Sequence, residues 1–227
     1  MSDNQITLAA LDMAGTTVAD GGTVLAAFDA AAAAVGLPTE GPEHDEIRRY
    51  VLETMGQSKI IVFRHLVDGD EARAQAANAA FEKAYDAAIV DGTVAPIDGA
   101  AEAISELRNA GIKVALTTGF SASTQKLLID SLGWHDIADL VIAPSETLRG
   151  RPYPDMILSA LITLRVDDVR QVAVLGDTAN DITSGIRAGA GIVAGVLTGA
   201  HDEDALRAAG ATDVVTDIRA AATLFRN

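Results

Sequence analysis

The sequence predicts an α/β protein, with a parallel β-sheet core and an inserted helical domain. Short apolar runs stop abruptly at polar or glycine residues, which is typical of buried parallel strands. Segments with helical periodicity follow these runs, and strands that alternate with helices indicate a parallel sheet covered on both faces. One long stretch near the start of the chain carries mainly helical patterns, which indicates an insertion into the sheet domain.

Four apolar runs predict the strands of this sheet: Ile6–Leu11, Ile112–Leu116, Leu140–Ala143 and Val172–Leu175. Three helical segments come after the later runs: Ser121–Leu132, Pro154–Leu164 and Ala179–Ala188. Ser121 and Asp155 are suitable residues for helix starts, and Gly133 and Gly189 for helix ends. The loose Gly-x-Gly-x-x-Ala pattern that begins at Gly189 comes after a helix and before a strand, the reverse of a dinucleotide-binding turn.

The stretch 21–92 predicts a helical cap. Helical spacing covers Thr23–Val35, Glu43–Thr54 and Glu71–Ile89, and Ile60–Phe63 is the one strand-like run among them. We therefore expect a core domain of residues 1–20 and 93–227 and a cap domain of residues 21–92. Its linkers, at 20–22 and 91–93, contain glycine, and we expect the cap to open and close about them.

Composition excludes several classes of function. The 227 residues carry a net charge of −15, which argues against nucleic acid and anionic membranes as partners. There is no cysteine, so disulfides, zinc–thiolate sites and thiol nucleophiles are excluded. No apolar run approaches the roughly 20 residues of a membrane span, and Met1–Asn4 lacks the basic start of a signal peptide. We expect a cytoplasmic protein, and whether it forms a homodimer stays open.

Polar residues follow three of the predicted strands. Asp12 ends the first run, Thr117 and Thr118 follow the second, and Asp177 follows the last, with Asp181 four residues further on. The carboxyl ends of parallel strands share one edge of the sheet, where such folds bind ligands. Carboxylates suit Mg²⁺, and helix N-termini bind anionic oxygens. The pattern therefore predicts a site for Mg²⁺ and a phosphoryl group.

Four segments together resemble the motifs of the haloacid dehalogenase (HAD) superfamily. In chain order they are Asp12-Met13-Ala14-Gly15-Thr16, Thr117-Thr118-Gly119, Gly150-Arg151-Pro152 and Gly176-Asp177-Thr178-Ala179-Asn180-Asp181. The resemblance spans essentially the whole chain and implies a HAD-like, Rossmann-type parallel sheet with the insertion at the usual cap position. It also implies a Mg²⁺-dependent hydrolase.

The resemblance implies a role for each motif. Asp12 is the nucleophile and forms an aspartyl-phosphate. The phosphoryl oxygens are held by Thr117 or Thr118 and by Arg151. Mg²⁺ is bound by oxygen atoms from four residues: Asp12, the backbone carbonyl of Ala14, Asp177 and Asp181.

Ala14 departs from the pattern of most phosphatases in the superfamily, which have a second aspartate there to protonate the leaving alkoxide. Loss of such an acid typically costs about 10²–10⁴-fold for an ester substrate. Three explanations remain open: an inactive protein, an acid elsewhere, or a leaving group that needs no acid at this place.

The third explanation is supported by a resemblance to the phosphonatase-like branch of the superfamily. Ala14 and Arg151 fit that branch, as does Met55-Gly56 followed by Lys59. The resemblance implies that Lys59 forms a Schiff base with phosphonoacetaldehyde or a related 2-oxoalkylphosphonate. The C–P bond then breaks with a neutral enamine as leaving group. Substrate-binding residues implied by the same comparison are Met55, Gly119 and Phe120.

Two departures from that branch leave other functions open. Ile60–Phe63 stands where an Asp-His pair is expected, with His65 six residues after Lys59, and Phe120 replaces a tyrosine. A phosphate-monoester phosphatase, of the phosphoglycolate or sugar phosphate type, is the main alternative. A non-catalytic phosphometabolite-binding protein is another, although it has little reason to retain Asp12, Arg151 and the motif-four aspartates.

Overall fold

The computed structural model describes residues 5–227. Met1–Asn4, the first four residues of the predicted core domain, lie outside the described residues, and so does the expectation about a signal peptide there.

The strands are, in chain order, β1 (Leu8–Asp12), β2 (Val18–Ala19), β3 (Ala95–Pro96), β4 (Lys113–Thr117), β5 (Leu140–Ile142), β6 (Val172–Gly176), β7 (Ile192–Val196) and β8 (Asp213–Val215). The helices are α1 (Thr23–Ala34), α2 (Gly41–Glu53), α3 (Lys59–Leu66), α4 (Glu71–Val90), α5 (Ala100–Asn109), α6 (Ala122–Leu132), α7 (Asp155–Thr163), α8 (Ala179–Ala188), α9 (Glu203–Ala208) and α10 (Ile218–Arg226). A 3₁₀ turn covers Val169–Gln171.

Six strands form one sheet in the order β5-β4-β1-β6-β7-β8, and every pair is parallel. The predicted α/β fold with a parallel sheet is therefore confirmed. β1 lies in the middle, with Asp12 opposite Thr117 of β4 and Leu11 opposite Leu175 of β6. This register brings the carboxyl ends of the three strands together at one edge.

Both faces of the sheet are buried, because successive side chains of a strand point to opposite faces. Leu8 and Ala10 of β1 pack with α7 on one face, in a cluster that includes Met156. Ala9 and Leu11 belong to the other, larger cluster. This cluster continues from the sheet into the helices of the 21–92 stretch.

The 21–92 stretch holds α1 to α4. The strand-like run Ile60–Phe63 lies inside α3, and its Val62 and Phe63 are buried against the other helices. β2 and β3 pair antiparallel on either side of the stretch, with Val18 opposite Pro96. The division into core and cap near residues 20–22 and 91–93 stays a prediction.

The predicted helix starts and ends agree with the structure. The Ser121 side chain accepts the N–H of Thr124, and Gly133 and Gly189 adopt left-handed conformations at the ends of α6 and α8. Asp155 is the first residue of α7, as predicted for a helix start, and its carboxylate binds the Arg149 side chain.

Six elements were not predicted from the sequence: β2, β3, α5, β8, α9 and α10. Within residues 5–227, no helix combines the length and the apolar character that crossing a bilayer requires.

Candidate active site

Three aspartates meet at the carboxyl edge of the sheet. Asp12 ends β1, Asp177 follows β6, and Asp181 lies in the first turn of α8. All three are buried, and each offers a carboxylate oxygen within 4.8 Å of the others. The structure thus brings together three acids that are separated by up to 169 positions in the sequence.

Arg151 bridges two of these aspartates from a buried position. Its Nη2 lies 2.7 Å from Asp12 Oδ1, and its Nε lies 2.6 Å from Asp181 Oδ1. Nη2 also donates to the hydroxyl of Thr117 at 2.6 Å. One guanidinium therefore organises the predicted nucleophile and an acid of motif four.

Burial and mutual repulsion raise the pKa values of two of the three aspartates. Burial raises the pKa of the Asp12 carboxyl well above its ordinary value; Arg151 opposes the rise, and Asp181 and Asp177 add to it. Burial, followed by the charge of Asp181, raises the pKa of Asp177 to about 6. The site holds more negative charge than Arg151 alone neutralises, which favours a bound cation.

The backbone around the acids is closely fitted. Asp177 Oδ2 accepts the N–H of Ala200 at 2.7 Å, and Thr16 donates to Asp177 Oδ1 at 3.3 Å. Gly15 has a φ of +85°, and a side chain there would collide with the Asp177 carboxylate. Glycine is therefore needed directly after the Asp12-Met13-Ala14 segment.

The residues present fit a magnesium ion. Mg²⁺ prefers carboxylate and carbonyl oxygens and usually retains several waters. Asp12, Asp177 and Asp181, called the carboxylate cluster below, supply three such ligands, while Ala14 lines the adjoining cavity. It stays a prediction that the bound ion is Mg²⁺ and that the Ala14 carbonyl is one of its ligands.

The strand register separates the two threonines. Thr117 pairs with Asp12 across the sheet, and its hydroxyl binds Arg151. Thr118 lines the cavity beside Asp12, and its Oγ1 accepts the N–H of Phe120 at 3.2 Å. Thr118 is thus the better placed of the two to contact a phosphoryl group, and Thr117 to hold Arg151.

A cavity of about 360 Å³ lies over the aspartates, between the strand ends and helices α1, α2 and α3. It is lined by most of the predicted site residues: Asp12, Ala14, Met55, Lys59, Thr118, Gly119, Phe120, Arg151 and Asp177. A second cavity, of about 820 Å³, shares Lys59, Gly119, Phe120 and Arg151 with the first. Lys59 and Arg151 therefore stand where the two cavities meet.

Lys59, the first residue of α3, is only 8% exposed. Its Nζ lies 5.3 to 5.6 Å from the ring centres of Phe28, Phe81 and Phe120. Burial lowers the pKa of Lys59 to about 8; Asp12 opposes this effect and Arg151 adds to it. No hydrogen bond or ion pair joins Nζ to any side chain among the described residues.

His65 does not accompany Lys59, although α3 continues past it. Its ring is exposed and stacks on Tyr50, with ring centres 4.1 Å apart. Trp134, which follows Gly133 at the end of α6, is buried in the core.

Two residues near the site were not predicted to act there. Asn180 donates from Nδ2 to the Met55 carbonyl at 2.7 Å, and the His201 ring lies between α8 and α2. Asn180 lies within motif four, but its partner is 125 positions away in the sequence. Neither contact leaves a local signal in the sequence.

Comparisons with curated proteins find relatives of known name. The chain is 36% identical over 125 residues to a phosphonoacetaldehyde hydrolase of Parabacteroides distasonis, a match that covers 54% of this chain and 46% of the relative. It is 32% identical over 133 residues to a phosphonoacetaldehyde hydrolase of Pseudomonas fluorescens, covering 57% and 48%. The match thus spans about half the length of these relatives.

Solved structures share the fold along nearly the whole chain. A hydrolase from Pseudomonas syringae superposes with a TM-score of 0.81 at 21% identity, covering 94% of both chains. A phosphonoacetaldehyde hydrolase-like protein from Oleispira antarctica gives 0.81 at 21%, covering 97% of this chain and 91% of that one. At this identity the likeness concerns the fold alone.

The model of one protein family matches residues 6–189, which include the strand-end aspartates, Arg151 and helices α1 to α4. The description of that family is haloacid dehalogenase-like hydrolase. The chain belongs to this family of hydrolases.

Proposed function

We propose that this hydrolase cleaves the C–P bond of a 2-oxoalkylphosphonate, such as phosphonoacetaldehyde, by transferring the phosphoryl group to Asp12. Lys59 activates the substrate as a Schiff base. Arg151 and Thr118 bind the phosphoryl oxygens, and Met55, Gly119 and Phe120 border the organic part of the substrate.

The observation that carries this proposal is the environment of Lys59. The amine is surrounded by three phenyl rings, opens onto the cavity of Asp12, and has no protein partner for its charge among the described residues. A pKa lowered from 10.5 to about 8 makes the neutral amine roughly 300 times more abundant at pH 7. A buried lysine of this kind is suited to attack a carbonyl group.

The reaction has balanced steps. Lys59 Nζ adds to the carbonyl carbon, and loss of water gives a protonated imine. An Asp12 oxygen then attacks phosphorus while the C–P electron pair moves into the imine, which becomes a neutral enamine. Water hydrolyses the aspartyl-phosphate, and protonation on carbon followed by hydrolysis frees Lys59 and the carbonyl product.

A magnesium ion held by the carboxylate cluster would neutralise the repulsion between Asp12 and the anionic phosphoryl group. The chain's own contribution to the same end is Arg151, whose guanidinium lies 2.7 Å from Asp12. Thr117 fixes that guanidinium through the 2.6 Å hydrogen bond.

An ester phosphatase would need a proton donor for the leaving oxygen, and Ala14 supplies none. Asp20 is the other carboxyl group that lines the Asp12 cavity, apart from the cluster itself. Its oxygens accept the N–H groups of Gly22 and Val24, at 3.2 and 3.0 Å, and so hold the turn into α1. Because Asp20 is engaged in the turn, it is not positioned as the missing proton donor. This favours the C–P reaction, which forms no alkoxide and needs no such donor.

Borohydride reduction tests the proposed imine. With phosphonoacetaldehyde and Mg²⁺ present, we expect a reduced adduct on the peptide that contains Lys59, located by mass spectrometry. Lys59→Met should give no adduct and no phosphate, whereas Lys83→Met, a matched change at an exposed lysine of α4, should behave as the unchanged protein. Phosphate release without an adduct, retained in Lys59→Met, would contradict the proposal.

A further inference from the structure

The first turn of α8 contacts two parts of the site. Asp177, which precedes this turn, and Asp181, which lies in it, belong to the carboxylate cluster. Asn180 stands between them in the sequence, but its side chain binds the residues before α3, which we call the 52–58 segment. Its Nδ2 donates to the Met55 carbonyl at 2.7 Å, and its Oδ1 accepts from Gln57 Nε2 at 3.4 Å.

His201 makes a second connection from the same turn. Its Nδ1 accepts the N–H of Ala179 at 2.9 Å, so the ring hydrogen is assigned to Nε2. Nε2 lies 3.3 Å from the carbonyl oxygen of Leu52. Both ends of the stretch from Leu52 to Gln57 are therefore tied to the start of α8.

The backbone of the segment lies directly against the core. Gly56 has a φ of +88°, and a side chain there would approach the Thr178 hydroxyl to 2.5 Å. A side chain at Gly119 would come within 2.8 Å of the Gln57 carbonyl. The segment ends at Ser58, so its position fixes where α3 and Lys59 begin.

The turn that makes these contacts is held internally. Thr178 Oγ1 accepts the N–H of Asp181 at 3.3 Å, and Thr178 N donates to Asp181 Oδ2 at 3.1 Å. Such a capping box fixes the first turn of a helix. The same fixed turn therefore carries both Asp181, a member of the carboxylate cluster, and Asn180.

We propose that Asn180 is a positioning residue that couples occupancy of the carboxylate cluster to the placement of Lys59. The coupling rests on the proposed function only in treating Lys59 as the reacting amine. It is reciprocal, since a ligand that strengthens the binding of another is itself strengthened to the same degree. Occupancy of the carboxylate cluster would thus place the Lys59 amine where it can react.

Asn180→Ala tests the coupling, with Asn109→Ala on the exposed part of α5 as the matched control. We expect Mg²⁺ to raise the rate of borohydride trapping at Lys59 about tenfold in the unchanged protein, within the usual range of such couplings. Asn109→Ala should retain this rise and Asn180→Ala should lose it. Mg²⁺ should still raise the thermal midpoint of Asn180→Ala, because the carboxylate cluster is intact.

Hydrogen–deuterium exchange separates the coupling from the Schiff-base chemistry. We expect Mg²⁺ to slow amide exchange across the 52–58 segment in the unchanged protein and not in Asn180→Ala. This result without any Lys59 adduct would support the coupling and overturn the proposed function. The coupling is overturned if Asn180→Ala keeps the Mg²⁺ effect on exchange, if the unchanged protein shows none, or if Asn180→Ala no longer binds Mg²⁺.

Discussion

The buried Lys59 is expected to lower the stability of the folded state while it serves the proposed reaction. Its charge is buried among phenyl rings. A desolvated cation–π contact contributes about 2 kcal/mol, which offsets part of the several kcal/mol that burying an ion costs. Functional groups placed in this way usually destabilise the folded state, and their replacement by apolar residues stabilises it.

Lys59→Met is therefore expected to raise the stability of the protein while abolishing C–P cleavage. A pKa lowered from 10.5 to about 8 corresponds to on the order of 3 kcal/mol in the free energy of unfolding. Below pH 8 both the folded and unfolded chains hold the proton, so the whole cost is present there. Between pH 8 and 10.5 the unfolded chain binds more protons, so the stability of the unchanged protein rises with pH.

Urea denaturation at pH 7 and pH 10 measures this difference. The advantage of Lys59→Met should be largest at pH 7 and should shrink toward pH 10. A variant that is less stable than the unchanged protein at pH 7 would show that Lys59 has a stabilising partner.

Tyr85 provides a second test at this scale. It is fully buried against Phe120, with ring centres 4.4 Å apart, and its hydroxyl is one of two buried side-chain atoms without a hydrogen-bond partner in residues 5–227. The other is the hydroxyl of Thr7, at the far end of β1. An unpaired buried hydroxyl costs about 1–3 kcal/mol, so Tyr85→Phe and Thr7→Val should each raise the thermal midpoint. A fall in both would mean that bound water pairs these groups.

At the scale of elements, the residue that caps α8 is hydrogen-bonded to an aspartate of the carboxylate cluster. Thr178 caps the helix through Asp181, whose other oxygen binds Arg151 at 2.6 Å. Thr178→Ala should cost about 1 kcal/mol of stability and weaken Mg²⁺ binding several-fold, while Thr178→Ser should retain both. Thermal unfolding with and without Mg²⁺ measures the two effects, and an equally stable Thr178→Ala would contradict this account of α8.

The elements also show what the sequence could predict. Apolar runs and strand-end acids gave the sheet and the aspartates, because burial and the shared strand edge are local consequences of pattern. The two-residue strands β2 and β3 are too short to carry a pattern, and Ile60–Phe63 reads as a strand although tertiary packing makes it helical.

Contacts across the fold lay beyond prediction from the sequence. The roles of Thr117 and Thr118 depended on the register with β1, in which a one-residue slip exchanges the two hydroxyls. Asn180 and His201 contact backbone carbonyl groups of the 52–58 segment. Every residue type has such a carbonyl, so the identity of the residue does not indicate the contact. Nothing in the local sequence marks the partner.

At the scale of the whole molecule, the chain carries a net charge of −15, although the proposed substrate is an anion. The charge at the site therefore has to be balanced locally, by Arg151, Lys59 and a bound cation. Removal of Mg²⁺ should abolish phosphate release.

The affinity for Mg²⁺ should depend on pH. Binding requires ionised carboxylates, and the pKa of Asp177 is raised to about 6, with that of Asp12 raised as well. The rise in thermal midpoint that Mg²⁺ produces should thus be full above about pH 7 and decline as the pH falls through 6. An effect that is unchanged down to pH 5 would contradict the assignment of these acids as ligands.

The central claim is that Asp12 and Lys59 together cleave a C–P bond. It is tested most directly by measuring phosphate release from phosphonoacetaldehyde and from phosphoglycolate, side by side, with Mg²⁺ and an Asp12→Asn control. The account predicts release from the phosphonate alone, and none from the control. Release from the ester alone would contradict it, because that reaction needs a proton donor and makes no use of the buried amine.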